Sequence, residues 1–122
     1  MKFYKCEHCG NVAAKFVDAG VPLVCCGQKM TELVPGTSDG AAEKHVPVWS
    51  ENDGYVVVKV GSVTHPMAAE HNIVFIAAES DKGFQIKYLE PGQEPEAEFV
   101  LTDEEEVVAV YAYCNLHGLW KG

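Results

Sequence analysis

The chain has 122 residues, 48% of them hydrophobic, with nine lysines, no arginine and eighteen acids, for a formal net charge of −9. That balance argues against nucleic-acid binding, whose affinity rests on clustered Lys and Arg, and the longest apolar run, Val107 to Cys114, is far too short to span a bilayer. An odd count of five cysteines fits reduced metal ligands better than a secreted disulfide framework, and the first six residues lack the apolar region of a signal peptide, so a cytoplasmic protein is expected.

In chain order, the first unit runs from Met1 to about Val34, with Phe3, Tyr4, Val12, Phe16, Val21, Leu23, Val24 and Leu33 as its candidate core. So small a unit needs a metal or disulfides to fold. Cys6-x-x-Cys9 and, after fifteen intervening residues, the vicinal Cys25-Cys26 can supply four thiolates to one tetrahedral ion, zinc or iron on spacing alone. Adjacent cysteines cannot both come from one relaxed knuckle, so the tetrahedron is expected to be distorted. Gly10 and Gly27, each after the last cysteine of a pair, supply the backbone angles that turn amides toward sulfur. His8 lies inside the first knuckle, where its ring should point outward.

Pro35-Gly36-Thr37-Ser38-Asp39-Gly40 reads as a loop between two bodies, dividing the chain into domains over 1–36 and 37–122. Beyond it the pattern is β. Strands are predicted over Tyr55–Val60, Asn72–Ala78, Phe84–Leu89, Glu98–Leu101 and Val107–Tyr113, separated by turns such as Asn52-Asp53-Gly54, Asp81-Lys82-Gly83 and Glu90-Pro91-Gly92. Phe84, Ile86 and Tyr88 are expected on one side of their strand. Short strands at this spacing suggest an antiparallel sandwich, and no stretch shows helical periodicity beyond a turn or two. Eight acids fall between Glu90 and Glu106, a solvated face or a docking surface for a basic or metal-bearing partner.

The other chemically capable residues are Glu43-Lys44-His45, His65-Pro66-Met67, Glu70-His71 and Cys114-Asn115-Leu116-His117. One histidine near a strand end is weak evidence. Four with a cysteine, and only His8 elsewhere, point to a second metal site. Four imidazoles and one thiolate leave an octahedral position open, which separates a reactive site from a closed one. One thiolate on a divalent ion leaves a formal charge that favours a small anion, and Lys44 adds to it. Hydrolysis is the rival chemistry, with Glu43 or Glu70 as base; the thiolate argues for redox.

These motifs together resemble the desulfoferrodoxin family, the two-iron form of superoxide reductase, over essentially the full length. The resemblance implies a mainly β protein: a small desulforedoxin-like domain followed by an immunoglobulin-like antiparallel β-sandwich. It implies a distorted iron–tetrathiolate at Cys6, Cys9, Cys25 and Cys26 (centre I), and an iron centre with His45, His65, His71 and His117 as equatorial ligands and Cys114 axial (centre II). Glu43 is then the residue that occupies the sixth position in the oxidised resting state, and Lys44 guides superoxide and helps deliver protons. The implied activity is one-electron reduction of superoxide to hydrogen peroxide, with re-reduction by a rubredoxin-type donor, in a homodimer. Superoxide dismutation and a non-catalytic iron electron-carrier module are the alternatives.

Overall fold

A computed structural model describes all residues, 1–122, and divides them into two compact units, Met1–Val34 and Pro35–Gly122.

In the first unit, β1 (Phe3–Lys5) is flanked by β2 (Val12–Ala14) and β5 (Thr31–Leu33), both antiparallel to it, and the two-residue strands β3 (Val24–Cys25) and β4 (Gln28–Lys29) form a separate hairpin. The buried side chains here are Phe3 and Cys6. Phe16, Val21 and Val24, expected in this core, are instead 85%, 66% and 66% exposed. A three-stranded sheet of three-residue strands has no second layer to cover them, so the unit depends on its thiolate cluster, as small domains do.

The second unit is a β-sandwich. A single-turn helix, α1 (Ala42–His45), leads into β6 (Pro47–Asn52), which forms a hairpin with β7 (Tyr55–Val60). The hairpin turn is Asp53-Gly54 with φ of 51° and 81°, the pair of positive angles that a type I′ turn needs and that matches the twist of the flanking strands. β8 (Ile73–Ser80), β9 (Phe84–Tyr88), β10 (Glu96–Val100), β11 (Val107–Cys114) and β12 (Gly118–Lys121) complete it. The sheets run β10-β7-β6 and β12-β11-β8-β9, with every strand pair antiparallel.

Strict alternation in β7 sends Val56, Val58 and Val60 inward. There they meet Phe99 and Leu101 from their own side, and Ile73, Ile76, Ala78, Val110, Ala112 and Cys114 from the facing sheet. Burying a side chain of this kind contributes about 1.5–3 kcal/mol. Cys114 is thus both the last residue of a core strand and the nearest core residue to the candidate site.

The five predicted strands are present with ends shifted by up to two residues. β6 and β12 were not anticipated: β6 buries only Pro47, and β12 is four residues opened by a glycine. Their pairing is made by backbone ladders that side-chain patterning does not encode. Phe84, Ile86 and Tyr88 form no buried face, since Ile86 is 37% and Tyr88 76% exposed on what is the edge strand of its sheet. Residues 35–40 carry no regular element and lie against the second unit: the Gly36 amide donates to the Leu119 carbonyl at 2.9 Å, and Gly40 sits against His45, His117 and Trp120.

Candidate metal centres

The hairpin β3–β4 carries Cys25 and Cys26 beneath the knuckle that follows β1. The four sulfurs of Cys6, Cys9, Cys25 and Cys26 all lie within 4.8 Å of one another. Cys9 Sγ is 3.6 Å from Cys25 Sγ, which is 4.0 Å from Cys26 Sγ. Four sulfurs held tetrahedrally at about 2.3 Å from one ion stand about 3.8 Å apart, so the cluster fits a single tetrahedral ion. The vicinal pair needs a strained backbone: Cys26 has φ of 54°, and Gly10 and Gly27, at 85° and 72°, take the positive angles expected of them. The amides of Cys9 and Asn11 donate to Cys6 Sγ and Cys9 Sγ at 3.4 and 3.5 Å, and Asn11 Nδ2 reaches Cys25 Sγ at 3.7 Å. The Cys6 thiol is brought down to about 6, foremost by the Cys9 amide, while Cys26 is pushed up to about 12, foremost by its contact with Cys9. Sulfurs this close resist ionising together unless a cation sits among them. His8 is exposed and outside the cluster.

The second cluster is assembled at one end of the sandwich. His45 closes α1, His65 and His71 lie in the segment between β7 and β8, Cys114 ends β11, and His117 occupies the turn into β12. Donor atoms of His45, His65, His71 and Cys114 lie within 4.8 Å of one another. His117 joins through Nδ1, 3.1 Å from His45 Nε2 and 3.8 Å from Cys114 Sγ. The four rings form a closed circuit. Neighbouring centroids are 4.7 Å (His45–His65), 4.6 Å (His65–His71), 5.0 Å (His71–His117) and 4.9 Å (His117–His45), and neighbouring planes are within 14° of perpendicular. His45 and His71 face each other across the circuit at 6.1 Å.

The hydrogen bonds decide what the circuit is for. His45 Nδ1–H donates to the Ala41 carbonyl at 2.8 Å, and His65 Nδ1–H to the Pro66 carbonyl at 2.7 Å. A carbonyl only accepts, so each neutral ring presents a bare Nε2 lone pair, and the two Nε2 atoms meet at 3.2 Å. His71 Nε2 is buried with no hydrogen-bond partner at all. Lone pairs that converge without a proton between them are stable around a cation. Two nitrogens bound at right angles at about 2.1 Å stand about 3.0 Å apart, close to the spacings found. Anchoring the second ring nitrogen on a carbonyl is how proteins fix metal-binding imidazoles. Burial pushes His65 down to about 4, and burial, followed by the charges of His117 and His45, lowers His71. Both shifts keep the rings neutral and able to donate. Burial raises the Cys114 thiol, opposed by the amides of His117 and Leu116 directed at its sulfur.

Glu43 and Lys44 sit on α1 directly before His45 with exposed side chains, and neither belongs to the donor cluster. Lys44 is near enough to add to the lowering of His71, behind burial and the histidine charges. Glu70 is exposed and also outside the cluster. Sequence reasoning missed the residues that brace the donors. The Trp120 ring stacks on His45 at 4.9 Å and its indole N–H donates to the His117 carbonyl at 3.0 Å. Gly40 leaves room for both.

Comparison with known proteins fits this geometry. The family described as Desulfoferrodoxin matches residues 37–122, and its N-terminal domain family, Desulfoferrodoxin, N-terminal domain, matches residues 1–33. The chain belongs to the desulfoferrodoxin family. It is 47% identical to the desulfoferrodoxin of Nitratidesulfovibrio vulgaris over 98% of this chain and 94% of that one, and 47% identical to a desulfoferrodoxin homolog of Archaeoglobus fulgidus over 99% and 95%. The superoxide reductase of Treponema pallidum superposes with a TM-score of 0.83 at 37% identity, covering 99% of this chain and 97% of that one. A superoxide reductase (1Fe-SOR) from Giardia intestinalis covers 66% of this chain and 95% of its own, with a TM-score of 0.56 at 32% identity. As in other desulfoferrodoxins, the cofactors are two irons, one suited to the four thiolates and one to the four imidazoles with a thiolate. Membership thus closes the choice between zinc and iron that cysteine spacing left open.

Proposed function

We propose that this desulfoferrodoxin is a superoxide reductase, giving superoxide one electron and two protons to make hydrogen peroxide. The observation that carries the reading is the donor set of centre II, where the bare Nε2 atoms of His45 and His65, the unpartnered Nε2 of His71, His117 Nδ1 and Cys114 Sγ converge. Iron held there supplies the electron and a place for a small anion to bind.

The protein's own residues do the rest. His45, His65, His71, His117 and Cys114 are the ligands of centre II, and Cys6, Cys9, Cys25 and Cys26 those of centre I. His45, His65 and Cys114 are buried while His71 and His117 are partly open, so an anion approaches from the His71–His117 side. Lys44 stands next to His45 with an exposed ammonium, a local positive charge on a chain of net charge −9 that otherwise repels anions. It draws superoxide in and offers a proton. Glu43, its neighbour, is exposed on the same turn and would be the carboxylate at hand for an oxidised iron held there. The Leu116 and His117 amides directed at the Cys114 sulfur partly offset the burial that raises its thiol; with a cation beside it the sulfur would ionise, and a thiolate ligand would favour electron donation.

The two domains proposed, 1–36 and 37–122, are supported by the division into units and by the spans of the two family matches. Five free cysteines support a reducing, cytoplasmic setting, and no helix is long and apolar enough to cross a membrane. Re-reduction by a rubredoxin-type electron carrier and assembly as a homodimer belong to the same reading. The exposed Phe16, Val17 and Val21 offer apolar surface for such an assembly.

Pulse radiolysis of the reduced protein tests the activity. Rapid oxidation of centre II by superoxide, with hydrogen peroxide and no oxygen as product, is expected. Oxygen evolution would mean dismutation, and a centre II untouched by superoxide would mean an electron carrier.

A further inference from the structure

Two of the four centre II histidine rings are fixed by a carbonyl of their own, and His117 is fastened through its main chain. His45 and His65 each hold a carbonyl through Nδ1, and the His117 carbonyl receives the Trp120 indole N–H. The His71 ring has no carbonyl partner, and its buried Nε2 has no partner of any kind. What holds His71 is its loop, and that loop is fastened by two asparagine side chains that the functional reading leaves unused.

Asn72 follows His71 and opens onto β8; Asn115 follows Cys114 at the end of β11. Their backbones extend the β8–β11 ladder by one step, with the Asn115 amide donating to the Asn72 carbonyl at 3.1 Å. The Asn115 side chain then ties the two ligand segments together, and that of Asn72 braces its own loop. The Asn72 amide N–H donates to Asn115 Oδ1 at 2.9 Å, and Asn115 Nδ2 donates to the Glu70 carbonyl at 3.1 Å. Asn72 Nδ2 reaches back to the carbonyls of Ala68 and Ala69 at 3.0 and 3.2 Å. Ala68 and His71 close the same loop by reciprocal backbone bonds of 2.9 and 3.2 Å. Asn72 is 8% exposed, so its amide has little water to fall back on. The ladder itself shifts register between Tyr113 and Cys114, so strand pairing alone does not fix where Cys114 meets His71.

We propose that Asn72 and Asn115 are positioning residues of centre II: this reciprocal amide pair sets the His71 loop against Cys114, so that a ring with no hydrogen-bond anchor of its own is delivered to the metal. The inference rests on the reading that these side chains hold iron.

The test uses the full chain loaded with iron-57, with Mössbauer spectra to tell the two irons apart, a chelator challenge, and the electron paramagnetic resonance of oxidised centre II. Asn115→Ala and Asn72→Ala are expected to lose centre II iron on the order of tenfold more readily, the low end for loss of a ligand-orienting contact. They should change the centre II resonance and leave the centre I spectrum as it was. Asn115→Asp keeps the acceptor for Asn72 N–H and loses only the donor to Glu70, so it should fall between wild type and Asn115→Ala. Unchanged iron retention and resonance in the alanine variants overturn the proposal. If those variants fail to fold, Asn115→Asp decides it: retention equal to wild type overturns it, and several-fold faster loss supports it. A wild-type chain that holds no iron at centre II would instead overturn the functional reading beneath.

Discussion

His45 Nε2 and His65 Nε2 face each other at 3.2 Å while the Nδ1 of each ring is committed to a carbonyl, of Ala41 and of Pro66. Two acceptors held in contact are a repulsion built into the fold, and a cation between them turns it into coordination. Chelation should therefore lower the melting temperature of the protein well beyond what loss of a surface ion does. For free metal a thousandfold above its dissociation constant, the linked stabilisation is about 4 kcal/mol. Calorimetry with and without chelator, followed by re-addition of iron under anaerobic conditions, measures it. An unchanged melting temperature would contradict the reading of these lone pairs.

Lys44→Ala removes an exposed positive charge beside His45. Superoxide capture should slow, on the order of tenfold at low ionic strength, with a smaller difference in high salt where such fields are screened. Pulse radiolysis across a salt series reads both effects. A wild-type capture rate in this variant excludes the steering role.

Cys114→Ser replaces a wholly buried sulfur, 0% exposed, with a hydroxyl that cannot supply a thiolate. The visible band of thiolate-to-iron charge transfer at centre II should disappear and reductase activity with it, while centre I keeps its colour. Absorption spectra of the two oxidation states check this directly. Survival of the band would take Cys114 out of the ligand set.

Gly40→Ala places a methyl group 3.1 Å from the Trp120 ring, 3.2 Å from His117 Cβ and 3.2 Å from His45 Cε1, at a φ of 149°. Overpacking of this kind costs about 1–3 kcal/mol, and here the side chains that must yield include two of the histidine cluster. The variant should lose both stability and centre II iron affinity. Trp120→Phe, which retains a stacking ring but loses the donor to the His117 carbonyl, should show a milder form of the second effect. Thermal melts paired with chelator competition separate the two.

Tyr111, 4% exposed, donates its hydroxyl to Glu79 Oε1 at 3.1 Å, and burial together with the Glu79 charge raises its phenol from 10.0 to about 12. The folded value lies above the unfolded one, so the unfolded chain loses this proton first as pH rises. The contribution to stability is complete below pH 10 and declines between about pH 10 and pH 12. Urea titrations at pH 8 and pH 11 should show a loss at the higher pH that is smaller in Tyr111→Phe.

Much of this was readable along the chain. Cys6-x-x-Cys9 with Cys25-Cys26 announces a thiolate cluster because no other local arrangement of soft donors is so dense. Asn52-Asp53-Gly54 announces a turn because Asp-Gly tolerates two positive φ values in sequence. The alternation of Val56, Val58 and Val60 gives both the strand and its buried face. Other features were not readable. β6 buries almost nothing of its own and exists because β7 offers it a ladder. Phe16, Val21 and Val24 have the composition of a core, but the short strands around them provide no layer to receive them. Asn72, Asn115, Trp120 and Gly40 are ordinary residues whose importance comes from what stands beside them.

The sequence by itself determined the inventory: four thiols in one short segment, four imidazoles and one thiol dispersed through a β domain, and a lysine beside the first of those histidines. That inventory, with the family resemblance, was enough to name two irons and a redox chemistry. Only the tertiary structure decided which nitrogen of His45 and of His65 is free, because that depends on the carbonyl behind each ring. It likewise decided that His45 and His117, 72 residues apart in sequence, stand 3.1 Å apart in space. Donor identity is a local property of a side chain. Coordination is a property of distances between side chains, and those are set by the turns, ladders and packed rings that close the sandwich around them.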